Sequence, residues 1–188
     1  MQDHIADFGL GESITGKNDD SVLINSALVG REYTFPVTEE IAKALQMSNR
    51  VIGRRVVARI MRNTTSGTLA AGEIVTVSLS GGHAGLGDAA AKSSAGDRCC
   101  LVVDPALGAS TVADDDLFYA IVKGPTKVKQ PATAADLDGG DVIKAGASGR
   151  LAEAALGSDH GLVLGTVVKD NQVDDALVEV ELNPEWVG

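Results

Sequence analysis

The chain has 188 residues, enough for one sizeable domain or for a domain with an arm. Its 16 basic and 26 acidic residues give a formal net charge of −10 at pH 7, which repels phosphate backbones and anionic lipids. We therefore expect neither nucleic acid nor a membrane as partner. The 22 glycines and only 3% aromatic residues predict short strands, tight turns and a core of small side chains.

Residues 1–35 are predicted to form an extended N-terminal arm that contacts a partner, because glycines and charges interrupt every periodic pattern there. Within it, "GESITGKN" (11–18) nearly matches a nucleotide-binding P-loop, with Asn18 in place of the magnesium-binding hydroxyl. No buried strand precedes this stretch, and two carboxylates follow it where phosphates would lie. The match therefore indicates a turn, and no cofactor is expected.

A short helix is predicted over residues 36–49, "PVTEEIAKALQMSN". Thr38 is a suitable N-cap, and the two glutamates that follow it lie where the helix dipole favours negative charge. Ile41, Ala44 and Leu45 recur at helical spacing and predict one buried stripe. Such a short helix must pack on another element.

Residues 50–188 are predicted to be β-rich, since β-branched runs alternate with glycine, aspartate and proline turns. The run 81–97 is rich in Gly, Ala and Ser and is interpreted as a long surface loop. The last fifty residues contain four strand-like units about ten residues apart. This pattern predicts a mainly β fold, a small β-barrel or β-sandwich with one short helix. The adjacent Cys99 and Cys100 are interpreted as buried thiols, which favours synthesis in a reducing cytoplasm.

One basic concentration stands out in this acidic chain, and apolar residues alternate through part of it. Arginine pairs well with carboxylates through its two-pronged guanidinium group. The cluster therefore indicates either a solvated strand face or a docking patch for an acidic protein surface. Its members are Arg50, Arg54, Arg55, Arg59 and Arg62.

No set of catalytic residues is recognisable in the sequence. The three histidines are isolated, without metal-ligand spacing, and "SDH" (158–160) cannot act as a triad because its side chains diverge. We therefore expect a protein that is not an enzyme and has neither a metal site nor a cofactor. A small β-barrel hydrolase remains an alternative, and it would need folding to bring together carboxylates such as Asp104, Asp115 and Asp141.

The C-terminal run 139–184 resembles the head decoration, or cement, proteins of tailed bacteriophages. In that family a Gly-Asp-x-[Val/Ile] unit leads to a Gly-[Arg/Lys]-Leu turn, a Val-Leu-Gly-x-[Val/Ala] strand and a final Val-rich strand. The matching positions are Gly140, Asp141, Val142, Gly149, Arg150, Leu151, Gly165, Val167 and Val178. The resemblance covers about the last hundred residues and does not extend to the arm or the helix.

This resemblance implies a β-tulip-like decoration domain over 50–188 and a structural role on the outer capsid surface of a virion. The expected partners are the major capsid protein and further copies of the chain, as a homotrimer. An arm can add a strand to a neighbour's sheet, and Val22, Ile24, Tyr33 and Phe35 alternate suitably for this. Residues 21–37 form either such a strand or the first strand of the chain's own sheet. A phage tail or head-fibre β-domain that contacts a host receptor is a second structural alternative.

Overall fold

A computed structural model describes residues 28–80, 87–98, 100–131, 137–155, 158–159, 163–169 and 176–183. Across these ranges the chain is mainly β with a short α-helix, which confirms the predicted fold class. No described helix has the length and apolarity required to cross a bilayer. The strands are β1 (Glu32–Pro36), β2 (Arg55–Asn63), β3 (Leu69–Ala70), β4 (Ile74–Val77), β5 (Asp88–Lys92), β6 (Cys100–Val103), β7 (Thr111–Val112), β8 (Leu117–Lys129), β9 (Val142–Ala145), β10 (Leu151–Glu153), β11 (Val163–Lys169) and β12 (Leu177–Leu182).

The helix α1 spans Glu39–Ala44, inside the predicted range 36–49. Thr38 caps it as predicted, because the Thr38 hydroxyl accepts a hydrogen bond from the Ile41 N–H at 3.2 Å. The predicted stripe is wrong at one position: Ala44 is exposed, whereas Ala42 is buried. The packed face therefore runs through Ile41, Ala42 and Leu45. A 3-10 helix, Asn49–Val51, follows before β2 begins.

Ten strands form one sheet in the order β1-β2-β5-β4-β6-β8-β12-β11-β9-β10, and β3 pairs with β7 separately. An additional antiparallel pairing joins β2 to β8, from Val57↔Lys123 to Arg62↔Leu117. As a result β2, β5, β4, β6 and β8 pair in a closed circuit. The second half of β8 leaves this circuit and pairs with β12, so β8 belongs to both parts of the sheet.

Two apolar cores lie on opposite faces of the shared strands. The smaller core contains alternate residues of β2, β6 and β8, among them Met61, Val103 and Phe118. The larger core contains the intervening residues, such as Ile60 and Tyr119, together with residues of β9, β11 and β12. Because the first half of β8 buries both faces, residues 117–122 form a continuous apolar run, whereas the first half of β2 alternates between buried and less buried residues.

Strand β5 corrects the prediction of a surface loop over 81–97. Asp88–Lys92 pairs in parallel with β2 and antiparallel with β4. Ala89 is fully buried in the smaller core, where a small side chain fits between neighbouring strands. The composition Gly/Ala/Ser concealed this strand because it lacks the β-branched residues typical of strands. Residues 81–86 lie outside the described ranges.

The four C-terminal units predicted from the sequence correspond to β9, β10, β11 and β12. Leu151, Val167 and Val178 from the quoted units are buried in the larger core. Gly165 lies in β11 directly against the β12 backbone, so that a Cβ atom there would overlap the Glu181 carbonyl oxygen. These units therefore specify core positions and close strand contact.

Candidate functional site

Two of the five arginines in the predicted docking patch are held by carboxylates of the same chain. Arg54 donates two hydrogen bonds of 2.8 Å to the Glu181 carboxylate, which lies on β12. Arg59 contacts Glu32 of β1 through Nε at 3.1 Å and a terminal nitrogen at 2.7 Å. These exposed pairs orient the guanidinium groups along the protein surface, although each contributes little to stability.

A third arginine, Arg62, is held more firmly because one of its partners is buried. Its guanidinium contacts both Asp88 oxygens, at 3.2 and 3.3 Å, across the β2–β5 pairing. The Asp88 side chain is only 6% exposed. A terminal Arg62 nitrogen also lies 3.6 Å from the exposed Asp115 carboxylate. Arg62 therefore neutralises a buried charge in the fold.

Arg50 and Arg55 are exposed, and neither makes an ion pair with any residue of the described ranges. Arg50 lies in the 3-10 helix that precedes β2, and Arg55 is the first residue of β2. Thus the structure divides the predicted patch into three arginines with carboxylate partners and two whose charge is uncompensated locally.

The predicted contact residues Tyr33 and Phe35 lie in β1, which pairs antiparallel with β2. Of the two alternatives predicted for residues 21–37, the structure therefore shows a strand of the chain's own sheet over Glu32–Pro36. Both rings are half-buried and pack edge-on against Tyr119 of β8, at centroid distances of 6.3 and 5.2 Å. They face the larger core. Val22 and Ile24 lie outside the described residues.

The opposite side of β1 and β2 is exposed and carries a compact set of residues, which we call the basic face. Thr34 pairs with Val57 and Pro36 pairs with Arg55 across the β1–β2 register. On the other side of β2, Val57 pairs with Lys123 of β8. Directly paired residues share one face of a sheet, and so do alternate residues along a strand. Glu32 and Arg59 lie on this same side and neutralise each other as a register-paired ion pair. The remaining residues there form the basic face: Thr34, Pro36, Arg55, Val57 and Lys123.

Gly124 fixes the backbone geometry beside Arg55 and Lys123 of the basic face. Its φ is +107°, and a Cβ atom there would lie 2.5 Å from the Arg55 carbonyl oxygen. Only glycine combines this backbone conformation with such close approach. The ladder between β2 and β8 ends at Lys123, so the backbone contact at Gly124 continues to hold Arg55 beside β8.

A buried carboxylate, Glu73, joins strands of the circuit to the second half of β8. Its oxygens accept from the Ala70 N–H at 2.9 Å and lie 2.8 Å from Lys92 Nζ. Lys129 Nζ lies 3.7 Å away. Because the Glu73 side chain is only 6% exposed, these two lysines supply the charge that its burial requires.

Backbone contacts extend this connection to the turn between β9 and β10. Ser93 donates through its hydroxyl to the Gly146 carbonyl at 2.9 Å, and its own carbonyl accepts from the Gly149 N–H at 3.1 Å. We call the group formed by Glu73, Lys92, Lys129, Ser93 and Gly149 the polar seam. It connects β4 and β5 with β8 and with the β9–β10 turn.

Another buried carboxylate, Glu179 of β12, holds the segment that follows α1. It accepts hydrogen bonds from the Ser48 N–H at 2.9 Å and from the Ser48 hydroxyl at 2.7 Å. Lys127 and Lys169 are its register partners on the two neighbouring strands. Burial lowers the pKa of Lys127, an effect that Glu179 opposes and Lys169 reinforces.

The three carboxylates considered for a hydrolase each take part in a separate local contact. Asp104 is buried and caps a 3-10 helix by accepting from the Ala106 N–H at 2.9 Å. Asp115 lies near Arg62, and Asp141 accepts from the Asp138 N–H at 2.8 Å in the turn before β9. Among the described residues, no three His, Cys, Asp or Glu side chains are grouped as a metal site.

A small cavity lies between α1, β2 and β8, lined by Ile41, Met47, Val56 and Thr126 among others. Its volume is about 10 Å³, roughly the space of one water molecule. The lining is mainly apolar, and a space of this size does not hold a substrate-sized ligand.

Sequence reasoning missed Lys123, Thr34 and Pro36 as members of the basic face. The alternation in "EYTFP" (32–36) does contain part of the signal, since it separates Thr34 and Pro36 from the two aromatic rings. The sequence around Lys123 contains no such signal, because Lys123 lies next to Val57 only through the β2–β8 register, which joins residues far apart in sequence.

Comparisons with known proteins give matches among solved structures. No protein-family model matches the sequence, and no curated protein matches it either. A solved structure that resembles part of this chain is the N base of the head fiber protein gp8.5 of bacteriophage phi29. The TM-score is 0.46 at 16% sequence identity, and the match covers 71% of this chain and 98% of that chain. A similarity of this extent establishes neither a common fold nor a common function.

Proposed function

We propose that the chain is a non-enzymatic structural protein of a bacteriophage virion. It is made in the host cytoplasm, binds the outer surface of the icosahedral head and bridges major capsid protein subunits, so that the shell resists internal pressure. Copies of the chain associate as a homotrimer, and neither nucleic acid nor a membrane is a partner.

The observation that supports this proposal most is that the buried carboxylates bond to other parts of the chain. Glu73, Asp88 and Glu179 are all buried, and each is bonded to a different part of the chain. Glu73 joins the circuit to the second half of β8, Asp88 joins β5 to β2, and Glu179 joins β12 to Ser48. Their chemistry stabilises a framework rather than converging on a substrate, as a reinforcing protein requires.

The resemblance of 139–184 to head decoration proteins supports the same conclusion. Many identical copies on one shell also make weak individual contacts effective together, so a small docking surface suffices for each copy. Such a protein needs exposed sheet faces with a fixed geometry, and the basic face has this property.

The proposal is tested with empty heads assembled from the major capsid protein encoded in the same genome. The purified chain at micromolar concentration is expected to co-sediment with these heads, to saturate and to raise their resistance to heat. Heat-unfolded chain serves as the control for nonspecific trapping. If the native chain stays in the supernatant, the proposal is wrong. Binding to bacterial cells without binding to heads would instead indicate the receptor-contacting fibre domain.

A further inference from the structure

We propose that the basic face is the docking surface of the chain and that it binds an acidic patch of the shell-forming protein. This inference rests on the proposed function and adds which residues make the contact and which chemistry the partner presents. The patch on the partner must supply carboxylates around a small apolar centre.

The arrangement of charge singles out this face. Along β2, Arg59 and Arg62 have carboxylate partners within the chain, and Arg54 immediately before β2 has one as well. Arg55 and Lys123 are exposed and have no ion-pair partner among the residues that the structure describes. Arg55 lies two residues before Val57 on β2, and Lys123 pairs with Val57 across β2 and β8, so the face carries two positive charges close together in a chain of net charge −10. Carboxylates from another molecule are the groups that would complement them.

Apolar groups lie next to these charges. Val57 is half-buried beside both cations, and the exposed Pro36 ring pairs with Arg55 from β1. An ion pair at the edge of such a contact is partly desolvated, so it is stronger than a fully exposed pair. Thr34 adds a hydroxyl that can donate to, or accept from, the partner.

The face is also rigid before binding. Its residues lie on three paired strands, and Gly124 fixes the start of β2 against β8. A surface built on strands loses little conformational entropy when a partner binds. Two cations are far fewer than the six to ten phosphate contacts typical of DNA-binding proteins, so the charge number favours a protein patch over nucleic acid.

The test compares two variants with the same change in net charge. Arg55→Glu/Lys123→Glu reverses the basic face, and Lys43→Glu/Arg98→Glu reverses two exposed cations elsewhere. Binding to empty heads is measured by co-sedimentation at low and high salt. We expect the first variant to bind at least about tenfold more weakly and the second to bind within about twofold of the unmodified chain. The variant Arg55→Gln/Lys123→Gln, which changes the net charge by half as much, should show an intermediate loss of binding to heads.

A measurement on the unmodified chain complements the variants. A carbodiimide joins lysine amines directly to carboxylates, so Lys123 should be cross-linked to aspartate or glutamate of the shell protein, as identified by mass spectrometry. If the chain binds heads, but the basic-face variants bind equally well and Lys123 is not cross-linked, this inference is overturned while the proposed function stands. If the unmodified chain does not bind heads, both are overturned. If a short DNA duplex displaced the chain from heads, nucleic acid would be identified as the partner, and the inference of an acidic protein patch would also be overturned.

Discussion

Replacing Glu73 by glutamine is expected to destabilise the chain substantially, because Glu73 is the centre of the polar seam. Its carboxylate is buried and lies close to the Ala70 N–H, Lys92 and Lys129. Glutamine has nearly the same shape and keeps one acceptor oxygen, so packing changes little. It loses the negative charge, however, and directs amide hydrogens towards a lysine.

The magnitude follows from the contacts. A hydrogen bond to a charged group contributes about 1.5–3 kcal/mol, and breaking a buried ion pair costs about 3–5 kcal/mol. Lys92 and Lys129 are 38% and 21% exposed, so both can regain water when the carboxylate is lost. We therefore expect the free energy of unfolding to fall by about 2–3 kcal/mol, below the full cost of a buried pair.

Urea unfolding followed by circular dichroism measures this loss. With an m-value of about 2–3 kcal/mol/M, the midpoint should fall by about 1 M. Glu153→Gln, the same substitution at an exposed position of β10, should change stability by less than about 0.5 kcal/mol. Hydrogen exchange should also become faster at the Gly149 amide, which donates to Ser93 in the seam. A Glu73→Gln chain as stable as the Glu153→Gln control would show that the seam does not stabilise the fold.

Two further substitutions test strand contact and buried charge. Gly165→Ala should lower the free energy of unfolding in urea by about 3 kcal/mol, because the new Cβ would meet the Glu181 backbone. Gly67→Ala, with open space around its Cβ, should be nearly neutral. Equal effects of the two substitutions would contradict the close approach of β11 and β12. Lys127→Met should raise Tm at pH 7, because burial lowers the pKa of Lys127 below 10.5 and folding therefore disfavours its charged form. The cost of burying the charged lysine is present below the pKa of Lys127 in the folded chain and is lost as pH rises towards 10.5. The gain in Tm from Lys127→Met should therefore shrink over the same pH range. A lower Tm at pH 7 would mean that attraction to Glu179 outweighs the cost of burial.

Local patterns predicted much of the secondary structure. Alternation in "RVVARI" (55–60) placed Val56, Ala58 and Ile60 on one face, and all three are buried. The Thr38 cap and the four C-terminal strands also followed from neighbouring residues. Such features depend on backbone preferences and side-chain periods within a few residues, so the sequence contains them directly.

The ion pairs could not be predicted, because they depend on strand register. Arg54 pairs with Glu181, 127 residues away, and Arg62 pairs with Asp88, 26 residues away. Without the closed circuit of strands, all five arginines of the cluster look equivalent. Strand β5 was missed for the related reason that its small residues are suited to a tight space between β2 and β4, which exists only after folding.

The position of the basic face connects the proposed docking to the mechanics of the fold. Arg55 and Lys123 lie on β2 and β8, which, like β4 and β6, carry residues of both cores. A pull on this face therefore acts on the longest strand of the described chain, β8, which also pairs with β12 and reaches the polar seam through Lys129. Shearing β8 would require breaking ladders on both of its sides and exposing apolar residues of two cores. A load applied at a peripheral strand such as β10 would be resisted by the β9 ladder alone among the described pairings. Docking through β2 and β8 would thus connect a shell subunit to strands that have pairing partners on both sides.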